Sequence, residues 1–277
     1  MSLGFPDLPS LDLDDDPKGC CARLYESDAA RWLLDGELHP GGEALTLRLA
    51  ELAGLAPGQR VVDVACGTGA TALLLARERG ADVVGVDLGA RTIELAQREA
   101  SAAGLAERAR FVHGDAEALP LADAMFDVAL SECSLCTFPD KERAVAEMAR
   151  VLRPNGTIAV ADVTATLDAL PPALRTAAAR VACVADARTE DGYATLLRGA
   201  GCETIAVERR DADLLAMIDR VEARLRVARM LAPPGELRDR VREAVALARM
   251  ARDEVARGTL GYVLLVARRT STCGPAA

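Results

Sequence analysis

The sequence predicts an α/β fold, a parallel sheet with helices on both faces. Three observations carry that expectation. The stretch Val61-Val62-Asp63-Val64-Ala65-Cys66-Gly67-Thr68-Gly69 runs apolar residues into an acid and then into a small-residue turn. The following Ala70-Thr71-Ala72-Leu73-Leu74-Leu75-Ala76-Arg77-Glu78 reads as a helix, and strand, glycine turn, helix is the geometry that brings backbone close to a nucleotide-like ligand. A second strand, Val83-Val84-Gly85-Val86-Asp87, ends in a carboxylate 18 residues after Gly69, where it can accept hydrogen bonds from two ribose hydroxyls. Gly67 and Gly69 are expected to leave room where a Cβ would collide with that ligand.

The remaining elements follow in order. Residues 1–18 form a lead-in rich in Pro, Asp and Gly. Tyr25 to Asp28 opens a short helix through Trp32 and Leu34, with Ser27 or Asp28 as N-cap. His39-Pro40-Gly41-Gly42 is a turn before an amphipathic helix over 43–55. Strands 60–65, 82–87 and 109–114 then alternate with helices 70–79 and 90–103. The fourth strand is Phe126 to Ser131, followed by helix 141–152, a turn at Arg153-Pro154-Asn155-Gly156 and a fifth strand from Thr157 to Asp162. Beyond it come a helical stretch over 170–183, a helix from Thr189 to Gly199 or Gly201, and a sixth strand from Thr204 to Glu208. Two amphipathic helices, 211–230 and 236–257, are split by Ala232-Pro233-Pro234-Gly235. Gly261 to Ala267 reads as a last strand that rejoins the sheet, antiparallel, between strands five and six.

Taken together, the first two motifs resemble those of the S-adenosylmethionine-dependent methyltransferases of the Rossmann-like class. Ala65 stands where that family usually has its first glycine. The G-x-G-x-x-G spacing of dinucleotide enzymes is missing, which counts against a nicotinamide cofactor. The resemblance covers roughly residues 45–165 and implies a seven-stranded methyltransferase sheet with N-terminal covering helices and a helical insertion before the last strand. It divides the chain into a lead-in and lid helix (1–44), a cofactor-binding core (45–210), and the insertion with the final strand (211–277). It implies S-adenosylmethionine as cofactor, bound by Asp63, Ala65, Gly67, Gly69, Asp87, Leu88, Asp115, Ala116 and Ser131. Asp115 would accept a bond from the exocyclic amine of adenine; read on its own, it is a turn acid after Gly114.

The resemblance narrows further. Ser131-Glu132-Cys133-Ser134-Leu135-Cys136-Thr137-Phe138-Pro139-Asp140-Lys141 is similar to the segment after strand four of arsenite methyltransferases. So are Arg180-Val181-Ala182-Cys183-Val184-Ala185 and the pair Cys20-Cys21 ahead of the first motif. That likeness implies trivalent arsenic held by Cys133, Cys183 and Cys20 or Cys21. Two departures stand out: Glu132 replaces the family's asparagine, and Val184-Ala185-Asp186-Ala187 replaces a glycine-rich run. Soft thiolates suit a soft centre. An arsenic lone pair can take a methyl group with no general base, which matters in a chain with two histidines, His39 and His113. Buried thiol packing is the rival reading for the cysteines and the preferred one for Cys66, while Cys202 at the start of strand six and Cys273 in a Gly/Pro/Ala tail read as incidental. Cys133-x-x-Cys136 gives half a zinc site without a second half. Two other functions stay open: methylation of an organic hydroxyl with His39, Glu132 or Tyr25 as base, and thiol-based metalloid binding on a scaffold that has lost turnover.

Composition bounds the rest. With 277 residues the chain can bury a full core, and a net charge of −9 with a pI near 4.9 repels phosphate backbones, so nucleic acid is not expected as a partner. No apolar run reaches membrane-span length, and no signal peptide is visible, so a cytoplasmic protein acting on a small molecule or metalloid is expected, as monomer or homodimer, with a thiol reductant as a possible partner.

Overall fold

The computed structural model describes residues 32–34, 39–176 and 183–270. Its centre is a seven-stranded sheet: β1 (Arg60–Val64), β2 (Asp82–Asp87), β3 (Ala109–His113), β4 (Phe126–Glu132), β5 (Leu152–Ala165), β6 (Cys202–Arg209) and β7 (Leu260–Arg269). The helices are α1 (Gly42–Leu52), α2 (Ala70–Arg79), α3 (Ala90–Ala102), α4 (Lys141–Val151), α5 (Glu190–Gly199), α6 (Asp211–Leu231) and α7 (Glu236–Arg257). Strand order is β3-β2-β1-β4-β5-β7-β6, with β7 antiparallel to both of its neighbours, as the sequence predicts.

Local chemistry sets these boundaries. Asp140 caps α4 by accepting from the Arg143 N–H, and Thr189 caps α5 by accepting from the Gly192 N–H. Gly80 and Gly258 end α2 and α7 in the left-handed conformation. Two cores flank the sheet. One gathers Leu49, Leu75, Ile93, Leu130, Tyr262 and Leu264 under α1, α2, α3, α6 and α7; the other gathers Phe126, Met148, Ile158, Tyr193 and Leu265 under α4 and α5. The first eight residues of β7 are buried, and β7 pairs with β5 from Thr157↔Arg268 to Ala165↔Leu260. The sheet therefore runs through both the 45–210 and 211–277 spans.

Three expectations need correction. The turn at 153–156 does not precede the fifth strand but bulges out within it: Leu152 already pairs with Phe126, Asn155 turns left-handed (φ +66°), and pairing resumes at Thr157↔Val128. A Cβ on Gly156 would meet the carbonyls of Arg153 and Asp127 at 3.0 Å, so glycine is what lets the loop close there. The stretch expected as a helix over 170–183 holds only a short 3-10 turn, Pro172–Arg175, in its described part, and Cys183 lies in a turn with φ +62°; residues 177–182 lie outside the described residues. Pro171 and Pro172 lack the N–H groups that a continuous helix needs. The sixth strand is longer at both ends than expected and bulges between Thr204 and Ala206, which blunts an edge that would otherwise template further pairing.

Because β7 is both the end of the chain's path and an interior strand, Leu264→Ala should cost about 2–5 kcal/mol in a urea titration. The α6–α7 pair should unfold in the same transition as the sheet. A stable proteolytic fragment ending near residue 210 would show the helix pair and β7 to be dispensable.

Candidate active site

The strands β1 to β5 point their carboxyl ends to one edge, where ligands of such sheets gather. At the exit of β1, Ala65, Gly67 and Gly69 all take positive φ (61°, 54° and 84°). Ala65 holds a left-handed conformation that costs an L-residue about 1–2 kcal/mol. The N–H groups of Ala65 and Cys66 both donate to the Val86 carbonyl, which fixes the turn against β2. Asp87 completes the tie: its carboxylate accepts from the Gly67 N–H at 2.9 Å and from the Gly89 N–H at 2.8 Å.

Gly69 serves a different purpose from the one its sequence position suggests. A Cβ there would lie 2.5 Å from Phe111 Cζ, so what it clears is packing of α2 on the sheet, not a ligand. Cys66 is a packing residue: its sulfur would lie 2.7 Å from a Cβ on Gly85, and burial pushes its thiol up. Asp115 accepts from the Glu117 N–H at 2.9 Å, the turn role that is its alternative reading. Ala116 packs partly on the second core, and Leu88 stays 36% exposed beside it at the end of β2. Ser131 is fully buried and its hydroxyl pairs with Ser134 Oγ at 2.6 Å, which braces the turn after β4.

Asp63 is 2% exposed, and its Oδ2 finds no hydrogen-bond partner. Burial pushes its pKa well up, and the charges of Glu132 and Asp87 add to the rise. The side chain of Glu132, at the end of β4, is 4% exposed. It accepts from the Thr46 hydroxyl of α1 at 3.0 Å and the Thr71 hydroxyl of α2 at 2.7 Å, with His39 Nε2 3.8 Å away. The His39 Nδ1 lies 3.1 Å from the Pro40 carbonyl, which holds the ring.

Next along the chain, Cys133 turns left-handed (φ +52°) while its N–H donates to the Ala161 carbonyl of β5. That turn brings its sulfur within 3.9 Å of Cys183 Sγ, and the Cys183 thiol lies 3.4 Å from the Cys133 carbonyl. Each thiol of the Cys133 and Cys136 pair is pushed well up: Cys133 by its contact with Cys183 and by burial, Cys136 by burial and Cys183. Asp162 lies beneath them, fully buried. It accepts from the N–H groups of Cys136 (3.0 Å) and Val163 (2.8 Å), yet burial and the neighbouring Cys183 raise it to about 7. Tyr262 on β7 is a neighbour that sequence reasoning did not single out. Its buried hydroxyl has no hydrogen-bond partner, and burial, Cys133, Asp162, Glu132 and Cys183 push the phenol up. Only its place in the last apolar run of the chain could have pointed to it. Cys20, Cys21 and Tyr25 lie outside the described residues. Among the described residues no group of three or more His, Cys, Asp or Glu is arranged to hold a metal ion, so Cys133 and Cys183 stand as a pair.

Two outcomes follow from this geometry. Gly69→Ala, which sets a Cβ into the Phe111 ring at φ +84°, should lower stability by about 2–5 kcal/mol in chemical denaturation. Asp162 carries a proton in the folded state up to about pH 7, whereas the unfolded carboxyl loses it near 4. The folded state binds the extra proton, so stability should fall as pH rises from about 4 to 7, by at most about 4 kcal/mol. Denaturation midpoints across that range should show a flatter slope in Asp162→Asn, whatever that variant's absolute stability; an unchanged slope would remove Asp162 as the source.

Residues 62–160 match the family model described as a methyltransferase domain. The chain is 35% identical over 170 residues to methyltransferase GfsG of Streptomyces halstedii, a stretch covering 61% of each chain. It is 35% identical over 161 residues to the arsenite methyltransferase of Halobacterium salinarum, covering 57% of this chain and 41% of that one. It thus spans about three-fifths or less of the length of these relatives. Among solved structures, geranyl diphosphate methyltransferase in complex with S-adenosylmethionine superposes with a TM-score of 0.69 at 20% identity, over 96% of both chains, which shows a shared fold. Residues 62–160 of this chain thus resemble a methyltransferase domain, in a sheet that β6 and β7 complete.

Proposed function

We propose that the chain is an S-adenosylmethionine-dependent methyltransferase whose acceptor is trivalent arsenic held by Cys133 and Cys183. The observation that carries the acceptor is the 3.9 Å separation of two sulfurs from residues 50 apart in sequence, at the ligand edge of the sheet. The cofactor reading rests on the domain match and on the acids beside the glycine turn. Asp63 holds an orphaned buried oxygen, and Glu132 and Asp87 crowd the same place with like charge. A cationic ligand relieves that repulsion, and S-adenosylmethionine carries a sulfonium and an ammonium. Asp87, at the carboxyl end of β2, would hold the ribose, and the exposed side chain of Leu88 offers apolar surface to the adenine. When bound, the cofactor supplies an electrophilic methyl group.

The thiols suit neutral arsenous acid. The contact with Cys183 and burial push the Cys133 thiol well up, so it stays protonated at neutral pH, and each thiol can displace a hydroxide from arsenic with its own proton leaving as water. No charge is buried in that exchange, a gain beside a buried Asp162. Cys133 and Cys183 then orient the arsenic lone pair, and Cys20 or Cys21 would add a third sulfur. The relative from Halobacterium salinarum supports this acceptor over part of its length. A second reading has its own observation. Glu132, cradled by Thr46 and Thr71 with His39 at 3.8 Å, is a polar cluster that could take a proton from an organic hydroxyl.

Incubating the protein with S-adenosylmethionine, a thiol and arsenite, and resolving the arsenic species formed, separates these readings. Methylated arsenicals should form, and Cys133→Ser and Cys183→Ser should each lower the rate at least a hundredfold while leaving S-adenosylhomocysteine affinity within about threefold. A wild-type protein that binds the cofactor and never methylates arsenite would favour the organic acceptor.

A further inference from the structure

The outer half of α6 carries a patch that the proposed reaction does not use. Val227, Met230 and Leu231 are 49%, 79% and 56% exposed there. Around them the helix turns strongly basic: over 220–231 stand Arg220, Arg224, Arg226 and Arg229 against the single acid Glu222, in a chain whose net charge is −9. Protruding apolar side chains ringed by arginine call for an acidic partner with apolar residues of its own.

The chain contains such a segment. Residues 1–18 carry Asp7, Asp12, Asp14, Asp15 and Asp16 against Lys18, interleaved with Leu3, Phe5, Leu8, Leu11 and Leu13. The path of the chain leads to the same helix. Arg224 stacks over the Trp32 ring, 5.8 Å from its centroid, and its guanidinium donates to the Trp32 carbonyl. The 14 peptide steps from Lys18 to Trp32 can span up to about 50 Å, whereas Arg224 to Leu231 covers about 10 Å of helix. Reach is therefore no obstacle, and a tethered segment meets its site at high effective concentration.

We propose that the acidic-apolar segment 1–18 docks in cis on the Arg220–Leu231 face of α6. Its leucines and Phe5 cover Val227, Met230 and Leu231, and its aspartates meet the arginines around them. This docking does not depend on which acceptor is methylated. It does bracket Cys20-Cys21 between a docked segment and the Trp32 contact, which restricts where that thiol pair can go.

The test is a photo-crosslinking residue placed at Met230 in the full-length protein, an exposed position outside the proposed catalytic machinery. Irradiation of an equal mixture of isotope-labelled and unlabelled protein, followed by mass spectrometry, should give cross-links to peptides within 1–18 of the same chain. Their yield should fall at least fivefold in Asp12→Asn/Asp14→Asn/Asp15→Asn/Asp16→Asn, and also in 1 M salt, where charge attraction is screened to about 3 Å. Mixed-label cross-links would assign the patch to a second copy and overturn the proposal. So would cross-links to any other segment, no cross-link at all, or a yield indifferent to both the aspartates and salt.

Discussion

The carboxylate of Asp87 holds the ligand edge together. It accepts two backbone N–H groups, one from the turn after β1 and one from the turn after β2. The first of those turns contains the left-handed residues Ala65, Gly67 and Gly69, and the Ala65 and Cys66 N–H groups tie it further to the Val86 carbonyl. With the two exits locked to each other, the backbone in front of Asp63 is fixed before any ligand arrives, so little ordering remains to oppose binding.

From that anchor the site extends sideways along the sheet. Adjacent strands β1 and β4 bring Glu132 close enough for its charge to oppose ionisation of Asp63. Glu132 in turn gathers Thr46 of α1 and Thr71 of α2, so the covering helix is latched to the site by the same carboxylate. One residue further, the left-handed turn at Cys133 redirects the chain toward Cys183, above a buried Asp162 and beside the unpartnered hydroxyl of Tyr262. A crowded set of acids lies at one end of this edge and a pair of soft sulfurs at the other. That gradient suits a cationic methyl donor and a neutral soft acceptor.

Much of the architecture is legible in the sequence because its signals are local. Apolar runs ending in Asp63, Asp87 and Glu132 mark strand ends, glycines mark the turns, and the late run from Gly261 marks the returning strand. What escapes is whatever depends on contacts between distant elements. Gly69 looks like a ligand glycine until the Phe111 ring, from β3, is found where its Cβ would be. Arg153-Pro154-Asn155-Gly156 looks like the end of one element and is a bulge inside another, because Leu152 already has a partner in Phe126. Glu132 looks like a departure from a motif; only the hydroxyls of α1 and α2 reveal it as a cradled carboxylate. Tyr262 gives no signal in one dimension beyond its place in the last apolar run.

The account turns on whether Cys133 and Cys183 are ligands or only neighbours. X-ray absorption at the arsenic edge, on the protein loaded with one equivalent of arsenite, reads this directly. The account predicts arsenic–sulfur scattering from at least two thiolates in the wild type, reduced in Cys133→Ser and in Cys183→Ser. An oxygen-only shell in the wild type, or a sulfur shell unchanged in both variants, would contradict it.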